Sequence, residues 1–190
     1  MVFDRVEITM KYCCYCANPV VLKIPEHDNL PRYMCENCGA VHYQNPKIVA
    51  GCIAKWEDKI LLCRRAIEPR YGLWTVPAGF MENNETVAQA AARETFEEAT
   101  AAVNNLTLHS LFNIPHINQV YIVFEGDLAQ PEPKPGLETL EVRLVDEPEV
   151  PWDEIAFPVV HRALKLFFAR SQGAHGHVYM ADIGAKWGGD

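Results

Sequence analysis

Glu94, Glu97 and Glu98 stand at i, i+3 and i+4, a spacing that projects three carboxylates from one face of a helix toward a single cation. Thr86 followed three residues later by Gln89 is a capping box, and alanine fills positions 88 and 90 to 92. The helix should therefore begin near Thr86 and end near Thr100. Its acids then occupy the last two turns, where the helix carbonyls disfavour anions by roughly 0.3–1 kcal/mol each. Arg93 is the only basic residue between Gly79 and Ala101, so a net negative cluster remains, and bound Mg²⁺ or Mn²⁺ would offset it. Taken alone, such a run is equally well explained as a solvated helix face.

The wider constellation of Gly79, Glu85, Arg93, Glu94, Glu97 and Glu98, preceded by W-T-V-P-A-G at Trp74 to Gly79, resembles the Nudix box. That box reads Gly, five residues, Glu, seven residues, then Arg-Glu-U-x-Glu-Glu-x-Gly-U, where U is a bulky aliphatic residue. Three positions depart from it: Thr95 and Ala101 replace larger aliphatics, and Thr100 replaces the second glycine, a favoured helix C-cap. The similarity continues through N-P-K-I-V-A-G at Asn45 to Gly51 and L-L-C-R-R-A-I-E-P-R-Y-G-L-W at Leu61 to Trp74.

The resemblance implies an α/β fold, an α/β/α sandwich around a mixed sheet. It also implies divalent-metal-dependent hydrolysis of a nucleoside diphosphate linked to another moiety. By the same resemblance Glu94 and Glu98 are the best metal ligands, Glu97 shares or orients a metal, the Ala78 carbonyl adds an oxygen, and Glu85 is a ligand of second rank. Arg93 is expected to orient Glu97 or Glu85 rather than touch substrate. For the general base, Glu138 is preferred to Glu141, both following a proline-rich loop; Glu94 remains a third candidate. The bland explanation of Glu138 and Glu141 is a set of exposed loop acids continued by Asp146, Glu147 and Glu149.

Cysteine spacing defines a second unit. Cys13 with Cys16, and Cys35 with Cys38, form two C-x-x-C pairs separated by 18 residues, the spacing of a zinc ribbon. Metal then substitutes for the core that so short a segment cannot build. Four cysteines leave zinc no open position, so the site is expected to be structural. Cys14 is a neighbour, and Cys52 and Cys63 are small core residues. Two disulfides are the competing reading, disfavoured by an odd total of seven cysteines and by a start that lacks a secretion signal. Residues 1–44 are accordingly assigned to the ribbon and 45–190 to the hydrolase domain. Only Lys11, Lys23 and Arg32 are basic between Lys11 and Cys38, which is thin for gripping nucleic acid. A ribbon before a Nudix domain is similar to the arrangement in NADH, ADP-ribose and FAD pyrophosphatases, and a homodimer is a further expectation.

With 190 residues, 49% of them hydrophobic, the chain can bury one good core plus an appendage. A formal net charge of −8 argues against a broad nucleic-acid surface, so anionic substrates must be met by local basic groups and metal. No run is long and apolar enough for a membrane helix, and a cytoplasmic protein is expected. Ile48 to Ala54 and Ile60 to Cys63 should form a hairpin about a turn at Trp56 to Lys59. Thr107 to Phe112 and Val120 to Phe124 are further strands, and His161 to Arg170 an amphipathic helix with Leu164, Phe167 and Phe168 inward. Gln130 to Gly136, Q-P-E-P-K-P-G, must be a stiff loop, because alternate prolines remove donors and fix φ. A short strand is expected at His177 to Met180, in a Gly-rich tail from Gly173.

Selectivity has to come from outside the box. Arg64, Arg65 and Arg70 are candidates for phosphates, and Trp74, Phe80 and Tyr43 for stacking on a base; each has a duller explanation as strand-edge charge or core filling. The S-Q-P-W motif of NADH pyrophosphatases is missing, since Gly173 follows Ser171-Gln172 and the Pro151-Trp152 pair stands alone. ADP-ribose or FAD is the residual substrate class. Two alternatives are a zinc-ribbon regulator that senses a nucleotide or binds nucleic acid, and a MutT-like triphosphate pyrophosphohydrolase.

Overall fold

The computed structural model describes residues 10–171 and 178–184. The chain divides into two compact units at Pro46 and Lys47. In the first unit β1 (Val20–Lys23), β2 (Arg32–Cys35) and β3 (Val41–His42) form an antiparallel sheet in that order. Two tight turns flank it. Ala17 donates its amide to the Cys13 carbonyl at 2.9 Å, and Gly39 donates to the Cys35 carbonyl, also at 2.9 Å. Gly39 has φ of 73°, a left-handed backbone that glycine adopts without steric cost. Among the described residues of this unit only Cys13, Pro25, Cys35 and His42 are buried. So small an interior cannot offset chain entropy without a metal.

The second unit carries a mixed sheet. Its strands are β4 (Lys47–Trp56), β5 (Lys59–Arg65), β6 (Trp74–Thr75), β7 (Ala78–Phe80), β8 (Val103–Ile114), β9 (Gln119–Leu128), β10 (Thr139–Val145) and β11 (Tyr179–Asp182). The main order is β10-β5-β4-β9-β8-β11, with β6 on β5 and β7 on β4. Among the described residues two α-helices, α1 (Val87–Ala99) and α2 (Pro158–Ser171), pack on it. Strands alternate between two cores as period-2 geometry demands. Val49, Ile53, Ile60, Leu62, Tyr121 and Val123 face a cluster with Leu164 and Phe168 of α2. Ala50, Cys52, Ala54, Leu61 and Cys63 face Ala90, Ala91 and Ala99 of α1. Small side chains on both partners let α1 sit close against β4, and the result is an α/β/α sandwich.

The expected strands and helices are present among the described residues, and β4, β5, β8 and β9 run longer than expected, but the expected hairpin of 48–54 with 60–63 pairs only beside its turn. The closing strand is Tyr179–Asp182, parallel to β8; Gly173 and His177 lie outside the described residues. Among the described residues, no helix is long and apolar enough to cross a membrane.

One irregularity builds the site. β4 and β5 pair only at Lys55 with Ile60 and Trp56 with Lys59. Beyond this the two strands separate, β7 adding to β4 and β6 to β5. The split places β7 beside α1, whose Arg93 donates to the Phe80 carbonyl at 3.1 Å.

Candidate active site

Helix α1 begins at the expected capping box: Gln89 donates its amide to the Thr86 hydroxyl at 3.2 Å, and Thr86 donates to the Gln89 side chain at 2.7 Å. Its sheet-facing stripe is Ala90, Ala91, Glu94, Thr95, Glu98 and Ala99. Thr95 fits this apolar stripe because its hydroxyl donates back to the Ala91 carbonyl at 2.7 Å. Glu94 and Glu98, one turn apart, are 9% and 8% exposed, whereas the Glu97 side chain is 56% exposed. The spacing argument placed all three acids on one face; the structure separates a buried pair from a rim acid.

Arg93 bridges the two groups. It grips Glu85 with two nitrogens, at 3.0 Å and 2.8 Å, and reaches Glu94 at 2.7 Å and Glu97 at 2.9 Å. It also donates to the Phe80 carbonyl at 3.1 Å. One guanidinium thus ties three box acids to the β7 backbone, the planar multidentate geometry that suits arginine. Its bonds to Glu85, with that from the Glu82 amide, hold the Glu85 carboxyl down at about 2.

The buried pair behaves oppositely. Burial, and then the neighbouring Glu94 charge, push the Glu98 carboxyl up to about 8, against opposing effects of Arg65 and a hydrogen bond from the Ala78 backbone. Burial also raises Glu94, chiefly against the pull of Arg93. Two desolvated carboxylates that repel each other form a hard-oxygen donor set suited to a divalent cation. Gly79 makes room for Glu94, since a Cβ there would sit 2.4 Å from its carboxylate.

Structure distinguishes the two later acids. Glu141 is engaged by Arg143 at 2.7 Å and lies 3.8 Å from Arg64. Glu138, held by an Ala66 amide donating to its carbonyl at 2.8 Å, adds negative potential at both Glu94 and Glu98. Glu138 is thus an exposed acid near enough to act on the charge of the buried pair, while Glu141 belongs to an arginine cluster.

Two of the arginines proposed for phosphate hold a loop. Arg64 donates to the Gly72 carbonyl at 2.8 Å and Arg65 to the Pro69 carbonyl at 2.9 Å, closing the 66–73 connection. Arg70 is exposed in that connection with φ of 70°. Arg65 also lies over the Phe157 ring, 5.0 Å from its centroid, close enough to Glu98 to act on its charge. Trp74 is 2% exposed within the core, so stacking on a ligand is not open to it here. Phe80 is 49% exposed, with the Lys47 ammonium 4.8 Å from its ring centroid. Tyr43 belongs to the first unit, where Arg32 covers its ring. Tyr121 and Gly136 escaped the sequence reading. Tyr121 sits inside an ordinary V-Y-I-V-F strand run, yet burial and then Glu98 hold its hydroxyl protonated. Gly136 ends the stiff 130–136 loop expected from the sequence, and a glycine after a proline run was the available signal.

In the first unit the Sγ atoms of Cys13, Cys16, Cys35 and Cys38 all lie within 4.8 Å of one another. Cys13 to Cys38 is 3.6 Å and Cys16 to Cys35 is 3.4 Å, close to the edge of about 3.8 Å in a tetrahedron of 2.3 Å zinc–sulfur bonds. Among the described residues this is the one group of three or more His, Cys, Asp or Glu that closes so tightly. The donor set fits zinc. The Tyr15 amide donates to Cys13 at 3.4 Å and the Asn18 side chain to Cys16 at 3.5 Å. Backbone and then side-chain bonds from Asn18 lower the Cys16 thiol, favouring a thiolate there, while the adjoining thiols and burial raise Cys38. Cys14 stands outside the cluster, 3.7 Å from His42.

A mixed sheet that splits beside an acid-bearing helix, in a chain that also carries a four-cysteine ribbon, is the architecture of a Nudix hydrolase. Residues 45–167 match the NUDIX domain family and residues 11–44 its Nudix N-terminal zinc-ribbon family, and the chain belongs to the Nudix family. It is 35% identical over 122 residues to the NAD-capped RNA hydrolase NudC of Edwardsiella ictaluri (strain 93-146), covering 63% of this chain and 44% of that protein. NudC of Salmonella schwarzengrund (strain CVM19633) is 32% identical over 151 residues, covering 74% of this chain and 54% of the relative. The chain thus spans about half the length of the curated relatives it matches. A crystal structure of a NUDIX hydrolase from Nitrosomonas europaea superposes with a TM-score of 0.88 at 50% identity, covering 92% of this chain and 99% of that one. An ADP-ribose pyrophosphatase from Streptococcus suis, at 21% identity and TM-score 0.53 over 73% of this chain and 100% of that one, shares the fold.

Proposed function

We propose that this protein hydrolyses the phosphoanhydride of a nucleoside diphosphate linked to another moiety, with ADP-ribose or FAD as the leading substrates and Mg²⁺ or Mn²⁺ as cofactor. The observation that carries this reading is the buried Glu94 and Glu98 pair, tied to β7 through Arg93, with the exposed Glu138 near enough to act on both charges. Glu94 and Glu98, with Glu97 at the rim and the Ala78 carbonyl, would hold the cations, which supply neutralisation of phosphate charge and activation of water. Arg93 fixes the acids and is not needed on substrate. Glu138 takes the proton from the attacking water as its oxygen bonds to phosphorus; the bridging P–O bond breaks and the departing phosphate carries the electron pair. Phe80 offers an exposed ring for stacking. Arg65, beside the pair, suits a substrate phosphate.

A second reading, an NAD-type dinucleotide, is favoured by the names of the relatives at 32–35% identity. The missing S-Q-P-W motif speaks against it. Seven free cysteines, four of them clustered for zinc, support a reducing, cytoplasmic setting; a homodimer is part of the same proposal.

A panel of ADP-ribose, FAD, NADH, NAD-capped RNA and nucleoside triphosphates, with Mg²⁺ or Mn²⁺ and products identified, tests the reading. Release of AMP from ADP-ribose or FAD, lost in Glu98→Gln, is expected. Pyrophosphate release from triphosphates would favour the MutT-like alternative, and tight binding without turnover the sensor.

A further inference from the structure

The proline-rich connection between β9 and β10 is joined to the end of α1 through its backbone. Prolines at 131, 133 and 135 leave amide donors at alternate positions, and two of these are used. Lys134 donates to the Ala99 carbonyl at 2.8 Å and Gly136 to the Glu98 carbonyl at 2.9 Å. These are carbonyls of the last helical turn, which need a partner from outside the helix. The fit at Gly136 is closer than any side chain allows. A Cβ there would lie 1.7 Å from the Glu97 carbonyl oxygen, 2.9 Å from its carbon and 3.2 Å from the Glu98 carbonyl carbon. Glycine is required here for space, since its φ lies outside the left-handed region. From this contact the chain turns sharply, Thr139 donating to the Gly136 carbonyl at 3.2 Å, and the Ala66 amide, just past β5, donates to the Glu138 carbonyl at 2.8 Å.

We propose that Gly136 is a positioning residue: by seating the loop directly on the backbone of Glu97 and Glu98, it sets where Glu138 stands relative to the buried glutamate pair. The inference rests on the reading of Glu138 as the proton acceptor and deepens it. The helix that carries the metal-site acids and the loop that carries the base form one unit, with position 136 as the joint. Any side chain there must separate the two by on the order of 1 Å, and a misplacement of that size costs about 100-fold when proton transfer must be in register.

The test is a double-mutant cycle in the full zinc- and Mg²⁺-loaded chain, using the substrate cleaved fastest in the panel above. Gly136→Ala is expected to lower kcat by about 100-fold with KM changed less than about threefold. In a Glu138→Gln background the same substitution should cost almost nothing more, because the base it positions has gone. Losses that multiply across the cycle, or an unchanged kcat in Gly136→Ala, would overturn the inference. If Gly136→Ala fails to fold by circular dichroism, Lys134→Pro takes its place in the cycle: it removes one of the two loop-to-helix bonds without adding bulk against Glu97, and the same non-additivity is expected. A wild-type chain that turns over nothing in the panel overturns the proposed function itself, a different result from an active enzyme with additive losses.

Discussion

Gly79 lies so near Glu94 that a Cβ at position 79 would come within 2.4 Å of the Cδ and both carboxylate oxygens. The glycine that opens the box is therefore a contact requirement, and its backbone is ordinary strand paired with Ala50. Gly79→Ala should displace the Glu94 carboxylate from β7. The expected result is a fall in kcat of about 100-fold with a stability loss of about 1–3 kcal/mol from overpacking. Metal titration by calorimetry, alongside kinetics, checks it; unchanged metal affinity would exclude displacement of Glu94 as the cause.

Glu98 should cost the metal-free protein stability at alkaline pH. Its folded pKa is raised to about 8 from an ordinary 4.5. Its contribution is therefore fully present below about 4.5 and lost as pH rises through 8. Without divalent cations, Glu98→Gln should melt at a higher temperature than wild type at pH 8.5, and this advantage should shrink toward pH 5. Adding Mg²⁺ at pH 8.5 should stabilise wild type and leave the variant nearly unmoved. Thermal melts in chelator and in Mg²⁺ give both comparisons.

Much of this arrangement was legible in the residues, for identifiable reasons. The Thr86 and Gln89 box fixed the start of α1 because both hydrogen bonds are local. The cysteine spacing pointed to one cluster because two tight turns dictate where the thiols go. Helical periodicity could not tell Glu97 from Glu98, since that depends on which arc of α1 meets the sheet and on where Arg93 bonds. Nor could local pattern reveal that Arg64 and Arg65 close the 66–73 loop or that Trp74 is core, because those roles are set by partners remote in sequence. The departure at Thr100 illustrates the same limit. Sequence showed a missing C-cap glycine, but the compensating bonds come from Lys134 and Gly136, more than 30 residues on.

Thr100 itself gives a stability prediction. It caps α1 in the left-handed region, with φ of 48° and ψ of 36°, its amide donating to the Phe96 carbonyl. A β-branched residue is strained there, and glycine is not. Thr100→Gly should raise stability by about 1 kcal/mol in chemical denaturation and leave turnover unaltered, because no Thr100 side-chain atom enters the site's hydrogen bonds.

Removing zinc should unfold the ribbon before the hydrolase unit, since each has its own interior and only the first depends on metal for it. Cys38→Ser, or a strong chelator, should abolish amide protection across 11–44 in hydrogen exchange while β4, β5 and β9 stay protected. Simultaneous loss of protection in both units would show that the second unit's fold needs the first.

A last prediction concerns His109, fully buried on β8. Its Nε2–H donates to the Ala163 carbonyl at 3.2 Å and its Nδ1 accepts from Arg170 at 3.2 Å. Charging the ring would place a second proton against the Arg170 guanidinium in a desolvated site. Burial is the main cause that lowers its pKa below 6.5, followed among the lowering effects by Arg170. With a depressed folded pKa, a histidine contributes stability that is full above about 6.5 and lost as pH falls below it, because the unfolded chain takes up the proton first. With Mg²⁺ present, so that the opposing titration of Glu98 is suppressed, wild type should therefore lose stability as pH falls below about 6.5, with a slope that includes up to about one proton from this site. His109→Gln, which keeps a donor toward Ala163 and an acceptor toward Arg170, should show a shallower slope over that window, whatever its absolute stability. Equal slopes would mean that other groups govern acid stability.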